Sequence, residues 1–255
     1  MVDGKLVENV PVLSALSETA RKEVAEVARE VRYRAEERIV ALLKPPTELI
    51  MVLEGLAKLT GVAFNGLERI IYVYRPGDII GSRVLLEESP ESSYEVIAMR
   101  EVRGLAISGR DFLALGRRHP DLLVAVTGAF TRRLDYMARR VLAATSVEVP
   151  VRLSQLLLDF RGDPGDSDQG FVPLAYSLTH ETMAQIIGAS RPHTSTVLRD
   201  LEHVGAVRRR SGKGLLVNPQ RLNEIVSEEA VVQSNGAVGI TMARRSGSGS
   251  SPSPA

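Results

Sequence analysis

The sequence predicts an α+β chain in three successive parts: an antiparallel all-β unit, a long helix, and a helix-turn-helix closed by a hairpin. Three observations carry this expectation. Between Arg38 and Ile107, short runs of β-branched and aromatic residues alternate with Gly and Pro punctuation. From Leu123 to Ala144, apolar residues recur at steps of four and three. After Pro150, two short amphipathic segments flank Gly188-Ala189-Ser190 and lead into a basic hairpin.

The elements follow in order. Leu16 to Arg32 reads as a helix, with Ser17 as N-cap, Glu18 in the first turn, and Val24, Val27, Ala28 and Val31 at helical spacing. Ile39 to Leu43, Leu49 to Leu59, Ile70 to Tyr74 and Tyr94 to Met99 read as strands. Pro45-Pro46, Gly61, Asn65-Gly66, Pro76-Gly77, Ser89-Pro90 and Gly104 separate them, which suits a roll, barrel or sandwich. Asn65-Gly66 suits a tight hairpin. His119-Pro120-Asp121 opens the long helix. Its stripe of Leu123, Thr127, Phe130, Leu134, Met137, Val141 and Ala144 either covers its own domain or forms the seam of a parallel dimer. Arg132, Arg133, Arg139 and Arg140 lie off that stripe.

Pro150 marks a boundary, and Val151 to Phe160 reads as a helix before a polar loop from Arg161 to Gly170. Thr179 to Ile187 and Arg191 to His203 are the paired helices. Ala206 to Arg210 and Leu215 to Asn218 flank the hairpin tip Ser211-Gly212-Lys213-Gly214. Periodicity is lost after about Glu229, and the Ser/Gly/Pro-rich end from Ser246 is expected to be disordered. The expected division is 1–118, 119–147, 148–230 and a tail at 231–255.

Composition narrows the function. A net charge of +1 means that nucleic-acid binding must come from a local patch. The stretch Leu178 to Arg221 supplies one: Arg191, Arg199, Arg208, Arg209, Arg210, Lys213 and Arg221 face only Glu181, Asp200 and Glu202. A helix start bearing Ser190 and Arg191 suits phosphate contact, and an Arg can pair bidentately with guanine. The absence of cysteine excludes disulfides and a thiolate-held iron–sulfur cluster. Four dispersed histidines leave little for a metal site, and no metal is expected. No apolar h-region opens the chain, and no apolar run approaches the ~20 residues of a membrane span, so a cytoplasmic protein without a membrane partner is expected. No phosphate loop or Ser/His/Asp arrangement indicates an enzyme.

Thr179-His180-Glu181-Thr182-Met183-Ala184-Gln185-Ile186-Ile187-Gly188-Ala189-Ser190-Arg191, continuing through Thr196-Val197-Leu198-Arg199-Asp200-Leu201-Glu202 to Gly205, resembles the helix-turn-helix of the CRP/FNR family of bacterial transcription regulators. Val10-Pro11-Val12-Leu13, Pro76-Gly77-Asp78-Ile79-Ile80-Gly81, His119-Pro120-Asp121-Leu122, Thr131-Arg132-Arg133-Leu134 and Arg152-Leu153 extend the resemblance over about Leu6 to Val226. It implies a cyclic-nucleotide-binding-like β-roll, a dimerisation helix and a winged helix-turn-helix. It also implies a homodimer on an inverted-repeat operator in double-stranded DNA, with RNA polymerase as a further partner. The dimer seam is then Leu123, Thr127, Phe130, Leu134, Met137 and Val141. Arg191, Ser195 and Thr196 are expected to read bases, and Thr179, Ser190, His193, Arg199, Gly212 and Lys213 to face phosphates. Pro192 and Thr196 stand where many members carry a Glu and a second base-reading Arg, so the operator cannot be borrowed from them.

The implied effector pocket is Gly81, Ser82, Arg83, Ser92, Ser93, Met137 and Ala138. It departs from the cyclic-AMP-binding pattern. Ser82 replaces the ribose-binding Glu, Ser92 replaces the phosphate-gripping Arg, and Met137-Ala138 replaces an adenine-contacting Thr-Ser pair. Loss of the Arg removes a charge-assisted, bidentate contact. Cyclic AMP is therefore not expected to bind, no cofactor is expected, and the effector is open. The competing expectation is a ligand-responsive regulatory subunit whose main output is not DNA binding.

Overall fold

A computed structural model describes residues 2, 4–8, 10–63, 66–86, 94–166, 169–210 and 214–227. The chain divides into two compact units, Met1–Val141 and Leu142–Ala255.

The first unit opens with helix α1 (Gly4–Glu8), a 3-10 turn at Pro11–Leu13 and helix α2 (Glu18–Val27). Ser17 caps α2 by accepting from the Ala20 N–H at 3.2 Å. Strands β1 (Arg29–Tyr33), β2 (Arg38–Val40), β3 (Glu48–Glu54), β4 (Ala57–Val62), β5 (Glu68–Tyr74), β6 (Ile79–Ile80), β7 (Glu95–Ala98) and β8 (Val102–Ser108) follow. They form two four-stranded antiparallel sheets, ordered β1-β8-β3-β6 and β2-β7-β4-β5. The α+β class, with its antiparallel N-terminal roll, is as the sequence predicts.

Strand β3 explains how the layers stack. Leu49 and Met51 pack with Leu105 and Ile107 of β8 against a helical layer that includes Leu13, Val24, Phe112, Leu115, Leu122 and Val126. Ile50 and Val52 face the other way, toward Leu59, Tyr72, Tyr74 and Val96 of the second sheet. A strand covered on both faces needs an unbroken apolar run, and Leu-Ile-Met-Val supplies it.

The structure corrects several boundaries. The helix from Leu16 stops at Val27, and Arg29–Tyr33 is a strand in which Val31 is the buried residue. The run Leu49 to Leu59 is two strands, broken at Gly55, whose φ is 91°. A Cβ there would lie 2.0 Å from the Glu101 carbonyl oxygen, so only glycine fits. Helix α3 (Gly109–Arg118), capped by Ser108, precedes the long helix α4 (Pro120–Ser146). Of the proposed Asn65-Gly66 turn, Asn65 lies outside the described residues, and Gly66 has φ 78° between antiparallel β4 and β5.

On α4, Leu122 and Val126 are buried, and Phe130 and Met137 pack partly against their own roll. Val124, Leu134 and Val141 are 70, 67 and 64 % exposed. The outward stripe is thus Val124, Thr127, Thr131, Leu134, Ala138 and Val141, which has steps of three and four. It shares Thr127, Leu134 and Val141 with the predicted seam, whereas Phe130 and Met137 turn inward.

The second unit contains helix α5 (Val149–Asp159), strand β9 (Val172–Pro173), helices α6 (His180–Ile187) and α7 (Arg191–His203), and strands β10 (Val207–Arg209) and β11 (Leu215–Val217). The strands form a small antiparallel sheet, β10-β11-β9. Leu153 and Leu157 of α5, Met183, Ile186 and Ile187 of α6, and Val197, Leu198 and Leu201 of α7 are buried. The tail beyond 227 and the hairpin tip at 211–213 lie outside the described residues.

Candidate nucleic-acid interface and effector pocket

Two side-chain caps set the helix-turn-helix. Thr179 accepts from the Thr182 N–H at 3.0 Å, and Ser190 accepts from the His193 N–H at 3.4 Å. Between them Gly188 closes α6 at φ 70°, a left-handed conformation that glycine adopts without strain. Pro192 in the first turn of α7 costs no internal hydrogen bond. Inside the turn, Thr194 is fully buried and donates its hydroxyl to the Ser190 carbonyl at 3.0 Å. The sequence therefore fixes where α7 starts and which residues its first turns present.

Arg191, Pro192, His193, Thr196 and Arg199 are exposed on α7. Ser195 is half-buried, and its Oγ lies 2.8 Å from His180 Nδ1, a link from α7 to α6. Thr196 donates its hydroxyl to the Pro192 carbonyl at 3.2 Å and accepts from Arg199 Nη2 at 3.3 Å. Of the three residues predicted to read bases, Arg191 thus stands outward, while the hydroxyls of Ser195 and Thr196 bond within the protein. Thr179 and Ser190 are exposed, and their side-chain oxygens serve the caps. Gly212 and Lys213 lie outside the described residues.

Charge is distributed unevenly around α7. Arg209 of β10 holds Glu202 at 2.6 Å. Arg208 lies over the Phe171 ring, 4.2 Å from its centroid. Among the described residues Arg191 and Arg199 form no ion pair, so two cations face solvent uncompensated.

The candidate effector region centres on an arginine that the sequence placed only off the apolar stripe of α4. Arg133 of α4 reaches into the roll. Its Nη1 donates to the Tyr74 hydroxyl at 3.3 Å and the Ile79 carbonyl at 3.0 Å, and its Nη2 donates to Ser82 Oγ at 3.1 Å. The guanidinium carbon lies 5.1 to 5.9 Å from the ring centroids of Phe130, Tyr74 and Tyr72, cation–π distances. One heptad on, Arg140 donates to the carbonyls of Ile71 at 2.7 Å and Ile70 at 3.3 Å. The seven-residue spacing of these arginines was the one signal that they share a face.

Around Arg133 the chemistry is polar and desolvated. Asp78 accepts from the Tyr72 hydroxyl at 3.0 Å and the Arg75 N–H at 2.8 Å. Burial pushes its carboxyl above the usual carboxylate range, against those hydrogen bonds and the pull of Arg75 and Arg133. Burial likewise raises the Tyr72 phenol, helped by the Asp78 charge, and lifts Tyr74 to about 12.

The predicted pocket residues are partly gathered. Gly81 sits at φ 87°, where a Cβ would approach the Glu48 carbonyl oxygen to 2.1 Å. Ser82 meets Arg133, and Arg83 lies 5.7 Å from the Tyr94 ring centroid. Met137 packs on the roll, and Ala138 is exposed on the outer side of α4. Ser92 and Ser93 lie outside the described residues.

A capped recognition-type helix, its partner helix and a three-stranded wing, preceded in the chain by an antiparallel roll, define a DNA-binding regulator of the winged-helix kind. Comparison with known proteins agrees. Residues 30–119 match the cyclic nucleotide-binding domain family, and residues 151–225 match the Crp-like helix-turn-helix domain. The Cyclic AMP receptor protein of Thermus thermophilus is 30 % identical over 160 residues, spanning 63 % of this chain and 70 % of that one. A CRP-like cAMP-activated global transcriptional regulator of Mycobacterium tuberculosis is 24 % identical over 179 residues, 70 % of this chain and 80 % of that one. The chain belongs to the CRP/FNR family of bacterial transcription regulators. Among solved structures, the c-di-GMP-responsive global regulator CLP of Xanthomonas campestris shares the fold with a TM-score of 0.66 at 19 % identity, covering 79 % of this chain and 99 % of that one. No helix among the described residues is long and apolar enough to cross a membrane.

Proposed function

We propose that the protein binds an inverted-repeat operator as a homodimer through α7, and that it does so without cyclic AMP. The observation that carries the DNA reading is the pair of uncompensated arginines on the exposed face of a capped α7. Arg191 is the base reader at the helix start, and the Ser190 and His193 side chains face phosphate. Gly212 and Lys213 at the wing tip contact the backbone in this reading. The outward apolar stripe of α4 supports pairing with a second copy. The working division is a roll at 1–118, a dimer helix at 119–147 and a DNA-binding domain at 148–230. Where the protein activates, RNA polymerase is its further partner.

Independence from cyclic AMP rests on Ser82 and Met137-Ala138. Ser82 is engaged by Arg133, Met137 packs on its own roll, and Ala138 carries no hydrogen-bonding group. The cAMP-activated relatives make cyclic AMP the first ligand to test. Selection of bound duplexes from a random pool, with and without cyclic AMP, tests both halves. One inverted repeat enriched equally under both conditions is expected. Enrichment only with cyclic AMP would refute the independence, and no enrichment would favour a regulatory subunit whose output lies elsewhere.

A further inference from the structure

We infer that Arg199 is the second base-reading residue of α7, oriented by Thr196 and kept available by an ion pair in the wing; this rests on the DNA-binding reading above. The side chains buried on α7 are Thr194, Val197, Leu198 and Leu201. At about 100° per residue, Arg199 lies within ~30° of the direction opposite that buried face, whereas Arg191 stands about 110° away from it. Arg199 therefore occupies the middle of the exposed face, and Arg191 one flank.

Distance along the helix does not remove Arg199 from the groove. Helical side chains lean toward the N-terminus and cover the preceding turn. Arg199 does so visibly, because its Nη2 reaches the Thr196 hydroxyl at 3.3 Å. That hydroxyl is itself fixed, since its proton goes to the Pro192 carbonyl at 3.2 Å. Thr196 is thus an acceptor that holds one corner of the guanidinium. Arg199 is exposed, and among the described residues this is the hydrogen bond its guanidinium makes, which leaves further N–H groups for the fork that pairs with guanine O6 and N7.

A carboxylate three residues along a helix would ordinarily pair with such an arginine. Glu202 is at that spacing, but Arg209 of β10 holds it at 2.6 Å. Among the described residues no ion pair reaches Arg199. Thr196 and Glu202 are then positioning residues, and the wing strand helps to set what the helix reads.

The test begins with the full-length protein and the operator that it selects from a random duplex pool. Titrations of R199A and R199K follow, against that operator and its single-base variants, at several salt concentrations, with circular dichroism confirming the fold. R199A should lose roughly ten- to hundredfold in operator affinity and lose preference at one G·C pair per half-site. R199K keeps the charge, so it should keep the salt slope while losing the same preference. R209A should weaken that preference by releasing Glu202 onto Arg199, and R209A/E202Q should restore it. Equal weakening of all sequences by R199A, with the salt slope falling by about one unit per site, would make Arg199 a phosphate contact and overturn the inference. Unchanged preference in R199A would overturn it too. A wild-type protein that selects no sequence would instead remove the DNA-binding reading itself.

Discussion

Arg191 and Tyr74 show how one side chain carries a measurable property. Arg191 opens α7 beside the capping Ser190 and is exposed there. A bidentate arginine–guanine contact is worth about 1–3 kcal/mol of discrimination. R191A should therefore relax preference at one position per half-site and cost roughly one to two powers of ten in specific affinity, measured by titration against single-base operator variants. A uniform loss across sequences would show that it contacts phosphate. Tyr74 carries a pH dependence. Its phenol is lifted from 10 to about 12, first by burial, with Arg133 opposing and Tyr94 and Asp78 adding to the rise. Below pH 10 both folded and unfolded chains keep the proton. Between about 10 and 12 the unfolded chain releases it first, so stability falls as pH rises, by on the order of 2–3 kcal/mol for this residue. Melting temperatures from pH 9 to 11 should fall less steeply in Y74F than in the wild type. Tyrosinate absorbance rising at pH 10 for all six tyrosines of the folded protein would contradict this.

At the scale of elements, Arg133 ties α4 to the roll. Truncating it leaves the Ile79 carbonyl, in a 2 % exposed residue, without this donor. An unsatisfied buried acceptor costs about 1–3 kcal/mol. R133M should lower the first calorimetric transition by roughly 3–10 °C. An unchanged transition would mean that the arginine is a passive occupant. Leu134, by contrast, is exposed on the other side of α4, so L134E should leave each protomer folded and weaken pairing. Burying that charge in a seam costs several kcal/mol, and sedimentation at micromolar concentration should show dimer for the wild type and monomer for the variant. Legibility follows the same physics. The caps Ser17 and Ser190 and the helix Arg191–His203 were readable because capping and 3.6-residue periodicity leave marks within a few residues. Strand β1 was not, because Arg-Glu-Val-Arg-Tyr buries one residue and so shows no alternation, while Val31 extends the helical spacing of α2. Arg133 was placed off the stripe but not in the roll, because a long cationic side chain has the same sequence signature whether it meets water or reaches the Ile79 carbonyl and the Tyr74 and Ser82 hydroxyls. The Glu202–Arg209 pair and the spent hydroxyls of Ser195 and Thr196 are products of tertiary placement, which residue type alone does not encode.

For the whole molecule, the proposed pairing of two copies dictates the geometry of the site on DNA. Two copies joined by a helix seam are related by a two-fold axis, so their recognition helices enter the duplex in opposite directions. The operator must then be an inverted repeat, with half-site centres about one helical turn apart, roughly 34–36 Å, or a multiple of it. Each half-site should contain two positions of strong preference, one set by Arg191 and one by Arg199, because these are the two uncompensated cations described on α7. The prediction is sharper for the dimer than for one protomer. Shifting one half-site by five base pairs places it on the opposite side of the duplex, where the second recognition helix cannot follow. Affinity should collapse to that of a half-site, while a ten-base-pair insertion should recover part of it. L134E should be indifferent to both insertions, since a monomer has no spacing to satisfy. A footprint of the wild type on a single, non-repeated half-site, or wild-type affinity that ignores the five-base-pair shift, would show that the protein does not read DNA as a symmetric pair.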